Sequence, residues 1–252
     1  MKRLTDKAAI RSILNKNREW CLYALADLDD GMFEHCDWWA YQEGLALVFR
    51  ALAIRPILTV GDAQTTREML CRLDEPTGYL NLLRDHLDSA AGIYAYRERH
   101  DMRRMILSDF HPRTAVTGIL SMADRGDIEN LYATGSGGLA FAPFQLETGF
   151  FRGVRINGRL AAVAGVHVVS RNEGVAGVGN IFTHPDYRGG GLAQTVTSAV
   201  VAALLDAGIR TIGLNVEQTN TVAIRVYERL GFRTRFSYYE GIADSIKVSR
   251  PG

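Results

Sequence analysis

The chain has 252 residues, 47% of them hydrophobic and 23% charged, with a formal net charge of +1. This is close to the average for folded domains and long enough for one large domain or two small ones. It gives no bulk electrostatic reason to bind nucleic acid or an anionic membrane. Three cysteines (Cys21, Cys36, Cys71) are an odd number without C-x-x-C spacing, so neither a disulfide framework nor a zinc site is indicated. The six histidines lack metal-binding spacing, and no metal is expected. The first residues, Met1–Asp6, carry no apolar export segment, and the longest apolar run, Leu160–Val169, is too short to span a bilayer. A cytoplasmic location is the expectation.

In chain order, residues 5–28 read as an opening helix. Residues 38–41 and 45–52 read as a hairpin across Gln42-Glu43-Gly44, with one buried and one partly exposed tryptophan at Trp38-Trp39. Residues 57–60 form a short strand that ends in Gly61-Asp62, and a helix follows over 63–73. Residues 79–91 show a helical pattern, and 102–107 return as a strand. The basic run Arg97, Arg99, His100, Arg103 and Arg104 alternates with acids and reads as a solvated face. Between Phe110 and Ser121 the periodicity is interrupted at His111-Pro112 and Thr117-Gly118. This break divides the chain into expected domains 1–115 and 116–252.

A helix near 124–133 opens the second half. Residues 150–156 and 160–169 form a hairpin around Asn157-Gly158, a strong two-residue turn signal. Residues 175–183 form a strand that stops before Pro185. Leu192, Val196, Val200, Ala203, Leu204 and Ala207 then recur at near-helical spacing, and Gly208 closes that helix. Thr211–Val216 alternates as a strand. Thr219 or Asn220 caps a helix running to about Leu230, and Phe232 opens a last strand ending near Tyr239.

The stretch Arg188-Gly-Gly-Gly-Leu-Ala193 joins a strand to a helix. Three glycines leave backbone N–H groups uncovered, and the helix N-terminus adds partial positive charge. Together they suit a pyrophosphate, with Arg188 at the rim. The P-loop pattern fails because no Lys or Ser/Thr follows the last glycine. The dinucleotide fingerprint G-x-G-x-x-G fails as well. The loop alone is also an ordinary strand-to-helix turn, so its neighbours decide.

Arg188, Gly191 and Ala193 fit R-x-x-G-x-A, and Asn220 to Phe232 fits N-x-x-A-x-x-x-Y-x-x-x-G-F at every fixed position. Together these resemble the GNAT superfamily of N-acetyltransferases. Specific motifs cover about residues 121–245; over 1–110 the resemblance is diffuse. The resemblance implies a mixed α/β (α+β) fold whose central, mostly antiparallel sheet is flanked by helices, placed after a divergent N-terminal α/β domain. The turn Val60-Gly-Asp-Ala-Gln64 has one glycine and an acid where phosphates would sit, so that first domain reads as GNAT-like or simply α/β and unable to bind coenzyme A there.

The implied activity is acetyl transfer from acetyl-CoA to a primary amine of a small molecule or peptide. Backbone groups of Gly189, Gly190, Gly191, Leu192 and Ala193 would hold the pyrophosphate beside Arg188. Ile181, Phe182 and Thr183, at the strand end, would line the pantetheine arm, and Asn220 would hydrogen-bond it or cap its helix. Tyr227 would protonate the thiolate; without the motif it reads as a core tyrosine. Residues 175–183 contain no acid to serve as base. Asn180 can orient a water, and Glu147, His167, Glu173, Glu217 and His184 each have a structural alternative, so a chain of waters is the expected base.

Two other functions stay open: transfer of a larger acyl or aminoacyl group, and a non-catalytic acetyl-CoA-binding regulator. The acceptor wall is expected from residues 141–151 and the first domain. Trp38, Trp39 and Tyr41 could add an apolar surface there. The competing role for 1–110 is to cover the catalytic sheet or mediate contacts in a homodimer.

Overall fold

The computed structural model describes residues 1–135, 137–138 and 140–247. The chain folds as two compact units. The first comprises Met1–Arg104, Glu217–Thr219 and Arg235–Gly252; the second comprises Met105–Val216 and Asn220–Thr234. The expected boundary at 115/116 therefore differs from the observed division, in which the chain leaves the first unit after Arg104 and returns to it twice. Strand pairing is the reason. The last strand starts in the second unit, but its residues Tyr238–Asp244 pair with Thr77–Leu83 of the first.

The first unit holds β1 (Lys2–Leu4), α1 (Lys7–Leu14), α2 (Leu22–Ala26), β2 (Cys36–Tyr41), β3 (Gly44–Phe49), β4 (Pro56–Val60), α3 (Ala63–Arg72), β5 (Thr77–Leu83) and β6 (Tyr94–Tyr96). The expected opening helix is split. Asp6 caps α1 by accepting from the Ala8 N–H, and a short 3-10 turn at Asn15–Asn17 separates it from α2. Asparagine favours such breaks because its side chain competes for backbone partners. The helical expectation over 79–91 is also corrected. Gly78, Leu80 and Leu82 are buried in alternation along β5, which is the period of a strand. Only Arg84–Ala90 is helical, as a 3-10 turn.

β2, β3 and β4 pair antiparallel in sequence, whereas β4 and β5 run parallel around α3. Ala46, Val48, Ile57, Met69, Leu70, Leu80 and Leu82 share one core. β7 (His100–Leu107) crosses the division between units. Its Arg104 is only 3% exposed, so the basic run is not wholly a solvated face. The Arg104 guanidinium lies 4.5 Å from the Trp20 ring, 5.0 Å from Tyr23 and 5.3 Å from Tyr238. It also donates to the Trp20 carbonyl. Aromatic faces stabilise a cation that water cannot reach.

The second unit holds β8 (Gly118–Ile119), α4 (Arg125–Tyr132), β9 (Arg152–Ile156), β10 (Arg159–Ser170), β11 (Val175–Thr183), α5 (Leu192–Asp206), β12 (Thr211–Glu217), α6 (Thr221–Arg229) and the start of β13 (Phe232–Ser245). Asn157 and Gly158 both have positive φ, 51° and 79°, and they close the β9–β10 hairpin as the sequence expected. β8, β9, β10 and β11 pair antiparallel, and β11 and β12 run parallel around α5. This is the order of the first unit's β2, β3, β4, α3 and β5. The core joins Val163, Val166, Val178, Val196, Val200, Leu204, Ile212 and Leu214 to Phe151 and Phe232. Among the described residues no helix is long and apolar enough to cross a membrane.

Candidate active site

The site begins where two parallel strands part. β11 pairs with β12 only over Val175–Val178, against Thr211–Leu214, although both strands continue. At that point β11 carries a bulge: its register against β10 shifts between Gly179 and Phe182, and Asn180 adopts φ 54°. Asparagine tolerates this left-handed conformation better than most residues. The bulge bends the strand and re-aims its backbone.

A network of buried polar groups fixes Asn180. Its Nδ2 donates to Gln145 Oε1 (2.9 Å) and to the Val166 carbonyl (3.3 Å). Its carbonyl accepts from the Tyr132 hydroxyl at 2.8 Å. Its N–H donates to His167 Nε2 at 3.3 Å. Gln145, in the 3-10 turn Pro143–Thr148, donates in turn to the His167 carbonyl. Burial lowers the His167 pKa to about 4, so its ring is neutral near pH 7 with the Nε2 lone pair already engaged. That removes His167 as a free general base.

Beyond the bulge, β11 leads into the glycine loop. Phe182 packs against Tyr132, ring centroids 5.9 Å apart, and Arg188 lies 5.7 Å over the Phe182 ring. Arg188 Nε donates to the Thr183 carbonyl at 3.3 Å. The Thr183 hydroxyl oxygen is buried without a hydrogen-bond partner among the described residues. Gly191 caps α5 at φ 77° and Gly189 turns at φ 84°. A Cβ added at Gly189 would meet nothing within 4 Å, so the loop is open to solvent. Leu192, Ala193 and Gln194 form the first turn of α5, whose N–H groups no helix carbonyl can reach. An open cradle of uncommitted donors beside an arginine and an orphaned hydroxyl fits an anionic, phosphate-bearing group.

Asn220 caps α6 by accepting from the Ala223 N–H at 3.1 Å, which is the capping role considered from sequence. Tyr227, two turns on, is buried, and its ring lies 6.2 Å from that of Phe232. Burial pushes its pKa up to about 12, so it keeps its proton at any physiological pH. The remaining base candidates do not converge. Glu147 is exposed. Glu173 is buried in the turn after β10, where its N–H donates to Ser170 Oγ. Glu217 pairs with His100 Nδ1 at 3.3 Å. His184 Nδ1 accepts from the Asp186 N–H at 3.2 Å. No cluster suited to a metal ion is present among the described residues.

Sequence reasoning missed two features. One is Gln145, the partner of Asn180; a glutamine in a 3-10 turn carries no signature. The other is Arg113, whose guanidinium lies against Gly191. It sits in the stretch read only as a break, and nothing local ties it to a loop 78 positions away. In the first unit, Trp38 is buried with its ring stacked on Phe33, so it does not offer a free surface. Trp39 lines a cavity of about 240 Å³ with Met1, Arg50 and Glu75.

Comparison with known proteins agrees with this geometry. Residues 124–232 match the family described as Acetyltransferase (GNAT) family. The ribosomal protein bS18 alanine N-acetyltransferase of Escherichia coli is 35% identical over 101 residues, covering 38% of this chain and 66% of that protein. The mycothiol acetyltransferase of Actinosynnema mirum is 41% identical over 69 residues, covering 27% of this chain and 23% of that protein. The chain thus spans about two thirds and about a quarter, respectively, of these curated relatives. A putative acetyltransferase from the GNAT family of Novosphingobium aromaticivorans shares the fold with a TM-score of 0.60 at 23% identity, over 87% of this chain and 95% of that one. Bulge, splayed strands, glycine loop and matched segment coincide, and residues 124–232 belong to the GNAT acetyltransferase family.

Proposed function

We propose that the protein transfers an acetyl group from acetyl-CoA directly to a primary amine. The observation that carries this reading is the open, glycine-capped N-terminus of α5, which directly follows a strand splayed from its neighbour at Asn180. The thioester is already activated, so the chain's task is to align two reactants and manage protons.

Gly189–Ala193 and Arg188 would hold the diphosphate. The β11 edge from Ile181 to Thr183, past its last pair with β12, has backbone free to pair with the pantetheine amides as an added strand would. Asn220 would contribute to that arm with the part of its amide not used in capping. Tyr227 would protonate the departing thiolate, its phenol being protonated near pH 7. With no acid on β11 and His167 engaged, an ordered chain of waters would take the proton from the amine.

The names of the relatives specify a protein alanine in one case and mycothiol in the other. The acceptor is therefore proposed as a primary amine and no more narrowly. The first unit is proposed to be a degenerate repeat of the second that serves acceptor recognition.

The test is binding and turnover with acetyl-CoA and a panel of amines, comparing wild type with Gly191→Glu and Arg188→Ala. Gly191→Glu puts a carboxylate into the phosphate path at a left-handed position. Arg188→Ala should cost on the order of 1.5–3 kcal/mol if its charged hydrogen bond to phosphate is made. Unchanged coenzyme A affinity in both folded variants would refute the assignment of the loop.

A further inference from the structure

The segment before β8 runs past the N-terminal end of α5. The Arg113 N–H donates to Ser198 Oγ at 2.8 Å, and Ser198 is only 2% exposed. Arg113 Nη1 donates to Gln194 Oε1 at 3.3 Å. Gly191, Gln194 and Ser198 lie on one face of the first two turns of the helix, so α5 itself holds Arg113 at its own N-terminus. A Cβ built on Gly191 would come within 3.0 Å of Arg113 Nη2 and 3.1 Å of its Cζ. The guanidinium therefore lies directly against the capping residue of the loop.

This placement is electrostatically unfavourable in isolation. A helix N-terminus carries roughly half a positive charge and disfavours a cation. Arg188, which precedes the loop in sequence, has its own guanidinium on the Thr183 carbonyl and over the Phe182 ring. Arg113 has no ion pair with a carboxylate among the described residues; its one side-chain partner is a neutral amide. Its fork has five donors, so most of them are left for another acceptor. An arginine and a helix dipole directed at one open loop are stabilised together by a multiply charged anion.

We propose that Arg113 is a second diphosphate-binding residue of the coenzyme site, clamping the phosphates from the side opposite the loop backbone. The proposal rests on the acetyltransferase reading above and adds a specificity residue to it. Because Arg113 contacts the capping glycine, its partner is the diphosphate that the loop cradles. The 3′-phosphate of the adenosine end is the alternative that the experiment separates.

The experiment is calorimetric titration of full-length wild type, Arg113→Ala and Arg113→Lys with coenzyme A and with dephospho-coenzyme A, which lacks the 3′-phosphate. Arg113→Ala is expected to weaken both ligands by a similar factor, about tenfold or more, as for loss of a hydrogen bond between charged groups. Arg113→Lys should recover part of the loss, since it keeps charge without the fork. Arg113 is exposed, so the melting midpoint without ligand should stay at the wild-type value. Unchanged affinity in Arg113→Ala, beside tight wild-type binding, would overturn this proposal alone. A loss seen with coenzyme A but absent with dephospho-coenzyme A would overturn it too, by assigning the contact to the 3′-phosphate. Failure of the wild type to bind either ligand would overturn the proposal and the reading beneath it.

Discussion

Tyr227 and His167 show how burial fixes the protonation of single residues. The Tyr227 phenol is raised to about 12 by desolvation, and a purely structural role as a core tyrosine makes a different prediction from the catalytic one. Tyr227→Phe keeps the ring and its contact with Phe232 while removing the proton donor. Turnover should fall roughly 100-fold, the usual scale for a general acid, with coenzyme A affinity nearly unchanged. Wild-type turnover in that variant would return Tyr227 to the core. His167 makes a prediction about stability. Its folded pKa, about 4, lies below its ordinary 6.5, so the neutral ring is favoured in the folded state. The stabilisation is fully present above pH 6.5 and is lost as pH falls through 4. Denaturant midpoints measured from pH 7 to 4 should decline less steeply in His167→Gln. An identical acid slope in that variant would show that other groups set the acid limit.

At the level of elements, the decisive feature is the bulge in β11. A single residue at positive φ separates β11 from β12, and Gln145 holds it there through one amide hydrogen bond. Gln145→Ala would leave Asn180 Nδ2 with only the longer bond to Val166. Stability should fall by about 1–3 kcal/mol, the cost of a buried polar group losing its partner, and coenzyme A binding should weaken with it. Urea unfolding within about 0.5 kcal/mol of wild type would mean the bulge does not depend on Gln145. The first unit supplies a contrast. There β4 and β5 also part after Leu58 and Asn81, but the Thr59 carbonyl just beyond accepts from the Trp20 indole at 3.4 Å. The buried Trp20 indole thus engages a backbone carbonyl that an added strand would need. This is a physical reason, beyond the Gly61-Asp62 turn, for that unit not to take coenzyme A at its own splay.

For the whole molecule, the division into units argues against separating the two halves. Residues 217–219 and 235–252 belong with the first unit. The strand Phe232–Ser245 therefore loses its partner β5 if the chain is cut near residue 115. A fragment spanning 115–252 should fail to melt cooperatively, since an unpaired edge and its apolar face are left exposed. A cooperative melt by circular dichroism, with wild-type coenzyme A affinity, would show that the second half folds alone and that the acceptor role of the first can be tested by truncation.

The sequence by itself determined the elements around the loop. The Asn157-Gly158 turn, the Gly191 cap, the Asn220 cap and the periods of β11, α5 and α6 are local, because backbone sterics and hydrophobic spacing act within a few residues. The R-x-x-G-x-A and N-x-x-A-x-x-x-Y-x-x-x-G-F patterns were legible for the same reason. Only the tertiary structure decided where β5 is a strand, where Arg104 is buried, that His167 is engaged by Asn180, and that Arg113 reaches Gly191. Each of these depends on a partner 13 or more residues away in the chain. Side-chain burial and hydrogen bonding at such separations are set by which strands pair, and local spacing does not carry that information.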